Sequence, residues 1–350
     1  MLSLALTLLL QAAPAAPAWP TKDADATFRD FHFASGETLP ELRIHYTTLG
    51  TPHRNARGEI DNAVMVLHGT GGTGKQFLFP QFANELYGPG QPLDITRYYI
   101  ILPDGIGHGG SSKPSDGLRA RFPHYGYADM VEGQRRLLGA LGVRKLRLLM
   151  GTSMGCMHGF VWGTTHPEMV QAMMPMACLP VEIAGRNRMW RKMAIDAIRA
   201  DPAYQGGNYT SEPAQGLRTA GDLLIIAGLN PLATQVEAPT REKAEAQLDT
   251  RFAAIVKDRD ANDLIWQLDA SRDYDPSAGL ERMTLPVTWV NSADDFINPP
   301  GLRIAEREAK RLPNGKFVLI PESTETKGHG THTWAKFWKG ELVELLERSE

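Results

Sequence analysis

The chain has 350 residues, 42% hydrophobic and 22% charged, the make-up of a folded globular protein, which excludes a fibrous repeat or a long disordered tail. Lys and Arg number 37 against 40 Asp and Glu, a formal charge of −3 with no basic stripe, so a nucleic-acid partner is excluded on electrostatic grounds. Two cysteines, Cys156 and Cys178, are too few for a disulfide scaffold or a four-thiolate metal site, and they are expected as small core hydrophobes.

Residues 2–10 form an apolar run, followed by Gln11 and an Ala/Pro stretch that ends at Ala18. The run is too short to span a bilayer, and Ala16-Pro17-Ala18 offers a small-residue cleavage site, although no Lys or Arg precedes it. Residues 1–18 are therefore expected to be a signal peptide and the protein to be secreted or periplasmic, with no stable membrane span. Beyond it, short runs rich in Val, Ile and Leu predict strands over 63–67, 98–102, 146–150, 172–176, 287–290 and 317–320. Helical periodicity covers 128–141 and 302–312, and Trp334, Phe337, Trp338, Leu342, Leu345 and Leu346 mark a final amphipathic helix. Strand and helix alternate, which predicts an α/β fold with a mostly parallel sheet flanked by helices. From 181 to 283 the pattern turns mainly helical, punctuated by Pro202, Pro213, Pro231 and Pro239, before strands resume. That segment is expected as an inserted helical lid dividing the core into 19–180 and 284–350.

The sharpest chemical signal is Gly151-Thr152-Ser153-Met154-Gly155, a GxSxG turn with an apolar strand before it and a helical stretch after it. A serine hydroxyl is a poor nucleophile at neutral pH, so it needs a base, and the base needs a carboxylate to hold its tautomer. The acid is expected after the strand over 287–290, where Asp294 and Asp295 compete; Asp295-x-x-x-Pro299 favours Asp295. The base is expected after the last strand, in Gly328-His329-Gly330-Thr331-His332, where the flanking glycines favour His329 over His332 at the start of the final helix. His68-Gly69-Thr70-Gly71-Gly72 follows the strand over 63–67, so the amides of Thr70 and Met154 are the expected oxyanion donors. The same stretch reads as most of a phosphate-binding loop, Gly69-x-x-x-x-Gly74-Lys75, but Gln76 stands where that loop needs Ser or Thr for magnesium. No metal and no cofactor is expected.

The elbow Gly151 to Met157, the upstream Phe122-Pro123 with Asp129-Met130-Val131, and Ala197-Ile198-Arg199-Ala200-Asp201-Pro202 with Gly206-Gly207-Asn208-Tyr209 resemble the homoserine acetyltransferase family of the α/β-hydrolase fold. The resemblance spans nearly all of 40–345 and implies Ser153 as acyl-enzyme nucleophile, Asp295 and His329 as its partners, and Thr70 and Met154 as oxyanion donors. It also implies a substrate-binding lid arginine for an amino-acid carboxylate; Arg191 is the nearest candidate, with Arg186 and Arg188 competing. Thr152 and Cys156 stand where these acetyltransferases usually carry glycine. An exported enzyme does not meet acetyl-CoA, so hydrolysis of a small carboxylic ester is the first expectation and homoserine O-acetyltransferase chemistry the alternative. A homodimer is left open.

Overall fold

The computed structural model describes residues 19–256 and 259–350, so the expected signal peptide lies outside the described residues. One eight-stranded sheet runs in the order β1-β2-β4-β3-β5-β6-β7-β8. Its strands are β1 (Lys22–His32), β2 (Thr38–Leu49), β3 (Ala63–Leu67), β4 (Tyr99–Pro103), β5 (Leu148–Thr152), β6 (Met173–Met176), β7 (Val287–Ser292) and β8 (Gly315–Ile320). β1 and β2 pair antiparallel, as do β2 and β4, and every later pairing is parallel. This is the α/β-hydrolase architecture.

The central strands are apolar throughout because both faces of the sheet are covered. Met65 and Leu67 of β3 point into one core with Leu137, Phe160 and Trp162, while Val64 and Val66 point into the other with Phe82, Trp338 and Leu342. The first core is built on helices α2 (Tyr127–Ala140) and α3 (Met154–Thr165); the second on α1 (Pro80–Leu86) and the C-terminal α10 (Lys339–Arg348). Each fully buried large apolar side chain contributes about 1.5–3 kcal/mol relative to an exposed one.

Between β6 and β7 the chain leaves the sheet and forms α4 (Gly185–Ala200), α5 (Ala214–Gly228), α6 (Pro231–Glu237), α7 (Arg241–Val256) and α8 (Ala261–Asp269). A short α9 (Ile304–Ala309) then connects β7 to β8. Among the described residues no helix is long and apolar enough to cross a membrane.

Four details differ from the sequence expectation. The hairpin β1–β2 was not predicted, because β1 is a largely exposed edge strand that alternates apolar with charged residues and has no apolar run. β5 lies two residues later than 146–150: Leu146 makes only an isolated bridge to Val170, while Gly151 and Thr152 pair with Leu67 and Met176. Helix α9 covers only the middle of 302–312, since Arg303 takes a left-handed conformation at φ 57° that breaks it from the turn before. The final helix starts at Lys339, so His332 does not begin it but sits in the preceding 3-10 turn.

Candidate active site

Ser153 stands at the junction of β5 and α3 with φ 54° and ψ −110°, a strained conformation costing about 1–3 kcal/mol for a non-glycine residue. The turn closes only because its flanks lack side chains. A Cβ on Gly151 would lie 2.0 Å from the Gly155 carbonyl oxygen, and one on Gly155 would lie 2.1 Å from that of Leu67. The loop after β3 closes over the same point, where a Cβ on Gly69 would meet the Ser153 Cβ at 3.3 Å. Thr70 follows directly, and Met154 is the first residue of α3, where a backbone N–H has no acceptor within its own helix. The two expected oxyanion donors thus sit on the two segments that meet at the serine. Asp104 holds this loop by accepting from the Gly74 and Gly110 amides at 2.8 and 2.9 Å, and Gln76 donates to the Thr152 hydroxyl at 3.2 Å. These bonds tie the loop to the elbow.

The structure brings Ser153, His329 and Asp295 together although they lie far apart in sequence. His329 Nε2 is 2.8 Å from Ser153 Oγ, and its Nδ1 is 2.9 Å from Asp295 Oδ2. A neutral imidazole in this network donates from Nδ1 to the carboxylate and accepts from the serine hydroxyl. Asp295 also accepts from the amides of Ile297 at 2.7 Å and Asn298 at 3.2 Å, and from the Asn298 side chain at 2.9 Å. Burial alone would raise its pKa, but the nearby His329 and these hydrogen bonds outweigh it and hold the carboxyl below its ordinary value. It stays ionised.

The competing residues go elsewhere. Asp294 faces away from the imidazole and accepts from Asn230 Nδ2 at 2.7 Å, Thr326 Oγ1 at 2.8 Å, the Gly328 amide at 3.0 Å and the Ser292 hydroxyl. His332 is buried with its ring edge-on to that of His329 at 5.3 Å, and burial, then the neighbouring His329, push its pKa down to about 3. A group held neutral that far down is poorly matched to proton transfer near neutral pH.

A cavity of about 540 Å³ opens beside Ser153, lined by Met157, Leu179, Ile183, Arg191 and Asn298 among others. Of the three arginines on the first half of α4, Arg186 lies over the Phe296 ring at 3.7 Å and donates to the Phe296 carbonyl. Arg188 pairs with Asp269 at 3.3 Å. Arg191 alone is almost wholly buried, at 2% exposure; its Nε donates to Asn187 Oδ1 at 3.0 Å, its guanidinium lies against the Tyr127 hydroxyl, and it has no carboxylate partner among the described residues. Burial lowers its pKa from the ordinary arginine value. The buried Tyr127 hydroxyl lies against the same guanidinium and beside the hydroxyls of Thr70 and Ser271.

Cys156 and Cys178, expected as small core hydrophobes with their pairing left open, are joined in a disulfide with Cα atoms 5.8 Å apart. Both are buried, so their apolar setting was legible; the pairing follows from the sheet. Cys156 lies on the first turn of α3 after β5 and Cys178 just after neighbouring β6, which places them side by side above the same strand ends. Asn298 was not anticipated. Its side chain bridges Asp295 and the Ala177 carbonyl at 2.9 Å each, and the only local signal is its position three residues after the acid, inside Asp295-x-x-x-Pro299.

Comparison with known proteins agrees with this fold. The family described as the alpha/beta hydrolase fold matches residues 62–325. The homoserine O-acetyltransferase of Moorella thermoacetica is 37% identical over 310 residues, 77% of this chain and 80% of that protein. Among solved structures, homoserine O-acetyltransferase from Bacillus anthracis superposes with a TM-score of 0.81 at 20% identity, covering 94% of this chain and 98% of that one. An acetylester hydrolase from Corynebacterium glutamicum gives 0.80 at 22% identity, covering 93% and 96%. At those identities the structural likeness speaks for the fold, whereas the family match and the Moorella thermoacetica relative speak for descent. The chain is an enzyme of the α/β-hydrolase superfamily and belongs to its homoserine acetyltransferase-like family.

Proposed function

We propose that this enzyme is a serine-nucleophile O-acyltransferase that moves a short acyl group onto the hydroxyl of a small carboxylate-bearing acceptor such as homoserine. The observation that carries this reading is Arg191. A guanidinium buried in the cavity that holds Ser153, with neutral partners in Asn187 and Tyr127 and no carboxylate beside it among the described residues, is costly unless an anion completes it. An acceptor carboxylate bound there supplies two parallel hydrogen bonds and sets the distance to the serine. The homoserine O-acetyltransferase relatives favour the same reading over the ester hydrolysis expected first from the sequence.

In this mechanism Ser153 attacks the acyl carbonyl of a thioester or ester donor while His329 Nε2 takes the hydroxyl proton. The Thr70 and Met154 amides stabilise the tetrahedral oxyanion, and His329 then gives its proton to the departing thiolate or alkoxide, leaving an acyl-serine. The acceptor hydroxyl next loses its proton to His329, attacks the acyl-serine and displaces Ser153, which regains the proton. Asp295 keeps the imidazole in one tautomer and stabilises the imidazolium. Hydrolysis is the second reading: water replaces the acceptor in the last step. The buried disulfide and the apolar leader favour it, since both suit export to an oxidising compartment that lacks acyl-CoA.

The test is a product ratio. The purified protein is given acetyl-CoA or an aryl acetate with and without homoserine, and O-acetylhomoserine and free acetate are measured. The transferase reading expects O-acetylhomoserine to exceed acetate at saturating homoserine. Acetate release that homoserine leaves unchanged, with either donor, would replace it with hydrolysis.

A further inference from the structure

The residue that competes with the triad acid has a different part to play, and it links the base to the helical insertion. Asn230 lies at the corner between α5 and α6, at 3% exposure. Its side-chain oxygen caps α6 by accepting from the Ala233 amide at 3.0 Å. Its side-chain nitrogen donates to Asp294 Oδ2 at 2.7 Å and to the carbonyls of Ser323 and Thr326, each at 2.8 Å. Asp294 in turn accepts from the Thr326 hydroxyl at 2.8 Å and from the amide of Gly328, the residue before His329, at 3.0 Å. The contact is backbone-close as well. Gly328 has φ 57°, and a Cβ there would lie 2.7 Å from the carbonyl carbon and oxygen of Leu229.

The segment 323–328 that delivers His329 is thus held from two sides, by Asp294 at the end of β7 and by the α5–α6 corner. All the side chains involved are buried, so water does not compete for these bonds. None of them touches Ser153 or the imidazole.

We propose that Asn230, acting through Asp294 and Thr326, is a positioning residue for His329, so that the seating of the α5–α6 corner sets how well the base meets Ser153. The proposal rests on the Ser153–His329–Asp295 triad of the preceding reading. A base displaced by a fraction of its hydrogen-bond length loses rate without losing substrate affinity.

The experiment compares wild type with Asn230→Asp, Thr326→Val and His329→Ala in the full chain, after circular dichroism has shown each to be folded. Two quantities are read: the rate of Ser153 labelling by a fluorophosphonate, and kcat and KM for a neutral aryl ester. Asn230→Asp keeps an oxygen to cap α6 but replaces the donor with a second carboxylate facing Asp294; Thr326→Val removes the hydroxyl that donates to Asp294 and accepts from Asn230 and the Ser323 amide. Both are expected to slow labelling and kcat by roughly 10- to 100-fold with KM little changed. Wild-type labelling and kcat in either folded single variant would overturn the proposal and leave Asn230 a helix cap. Unchanged labelling in His329→Ala would overturn the triad itself, and the proposal with it.

Discussion

The loops at the ends of β5, β7 and β8 and the α4 face across the cavity from them solve opposite problems. On the sheet side, Asp295 collects hydrogen bonds from His329, Ile297 and Asn298, and Asp294 from Asn230, Thr326 and Gly328. On the helical side, α4 turns the buried Arg191 guanidinium into the cavity with only the neutral Asn187 and Tyr127 beside it and no carboxylate partner among the described residues. The contrast teaches that the groups for bond making are set in advance, whereas on the proposed reading the facing guanidinium is completed by the acceptor. Preorganisation of that kind spends no reorganisation energy during reaction, and unfilled polar groups give discrimination between ligands.

The contrast breaks first at the triad. Ser153→Ala, His329→Ala and Asp295→Asn are each expected to lower kcat by on the order of 10⁴-fold, while His332→Asn costs far less; steady-state kinetics on folded variants reads the difference. A larger loss from His332→Asn than from His329→Ala would reverse the assignment. Next in size is the disulfide that staples α3 to the end of β6. Replacing both Cys156 and Cys178 with Ala frees a loop of 22 residues in the unfolded chain and is expected to cost ~3 kcal/mol, seen as a lower midpoint in denaturant titration. An unchanged midpoint would show that packing alone holds that junction.

The helical side is sharpened by Arg191→Met. Loss of a charged, paired contact of about 1.5–3 kcal/mol predicts a fall in kcat/KM for homoserine of roughly 10- to 150-fold, with hydrolysis of a neutral aryl ester falling far less. Equal losses for both would place Arg191 in the fold and not in acceptor binding. The smallest effect belongs to Glu212, which donates nothing to the reaction but accepts from the Ala261 amide at the start of α8. Burial, then the charge of Asp260, raises its pKa from 4.5 to about 7. The folded state therefore keeps a proton that the unfolded state loses, so this group's contribution to stability falls as pH rises from about 4.5 to about 7. Glu212→Gln should remove that slope, so that its Tm gains on the wild type across this interval; parallel Tm curves would contradict it.

Much of this was written locally in the sequence. Strands buried on both faces announce themselves as apolar runs, and a GxSxG turn needs two small residues whose reason is steric and adjacent. Ser153 and the sheet around it were legible for that cause. What was not legible depends on residues far apart in the chain. The Asp295-x-x-x-Pro299 spacing favoured Asp295 over Asp294, but that Asp294 instead faces Asn230, 64 residues upstream, shows only in the fold. The partner of Cys156 required knowing that β5 and β6 are neighbours. Arg186, Arg188 and Arg191 crowd one helix, and their fates separate through contacts with Phe296, Asp269 and the cavity. The hairpin at the sheet edge was hidden because its polar alternation carries no apolar run.

The central claim is that an acyl group on Ser153 is handed to an acceptor held by its carboxylate at Arg191. The direct measurement is the discharge rate of acyl-Ser153, formed with an aryl acetate and followed by intact mass spectrometry, in the presence of homoserine or of its methyl ester. The account predicts that homoserine accelerates discharge and forms O-acetylhomoserine, that the uncharged methyl ester accelerates it far less, and that Arg191→Met removes the difference. Discharge at the same rate with homoserine, with the methyl ester and in water alone would contradict it.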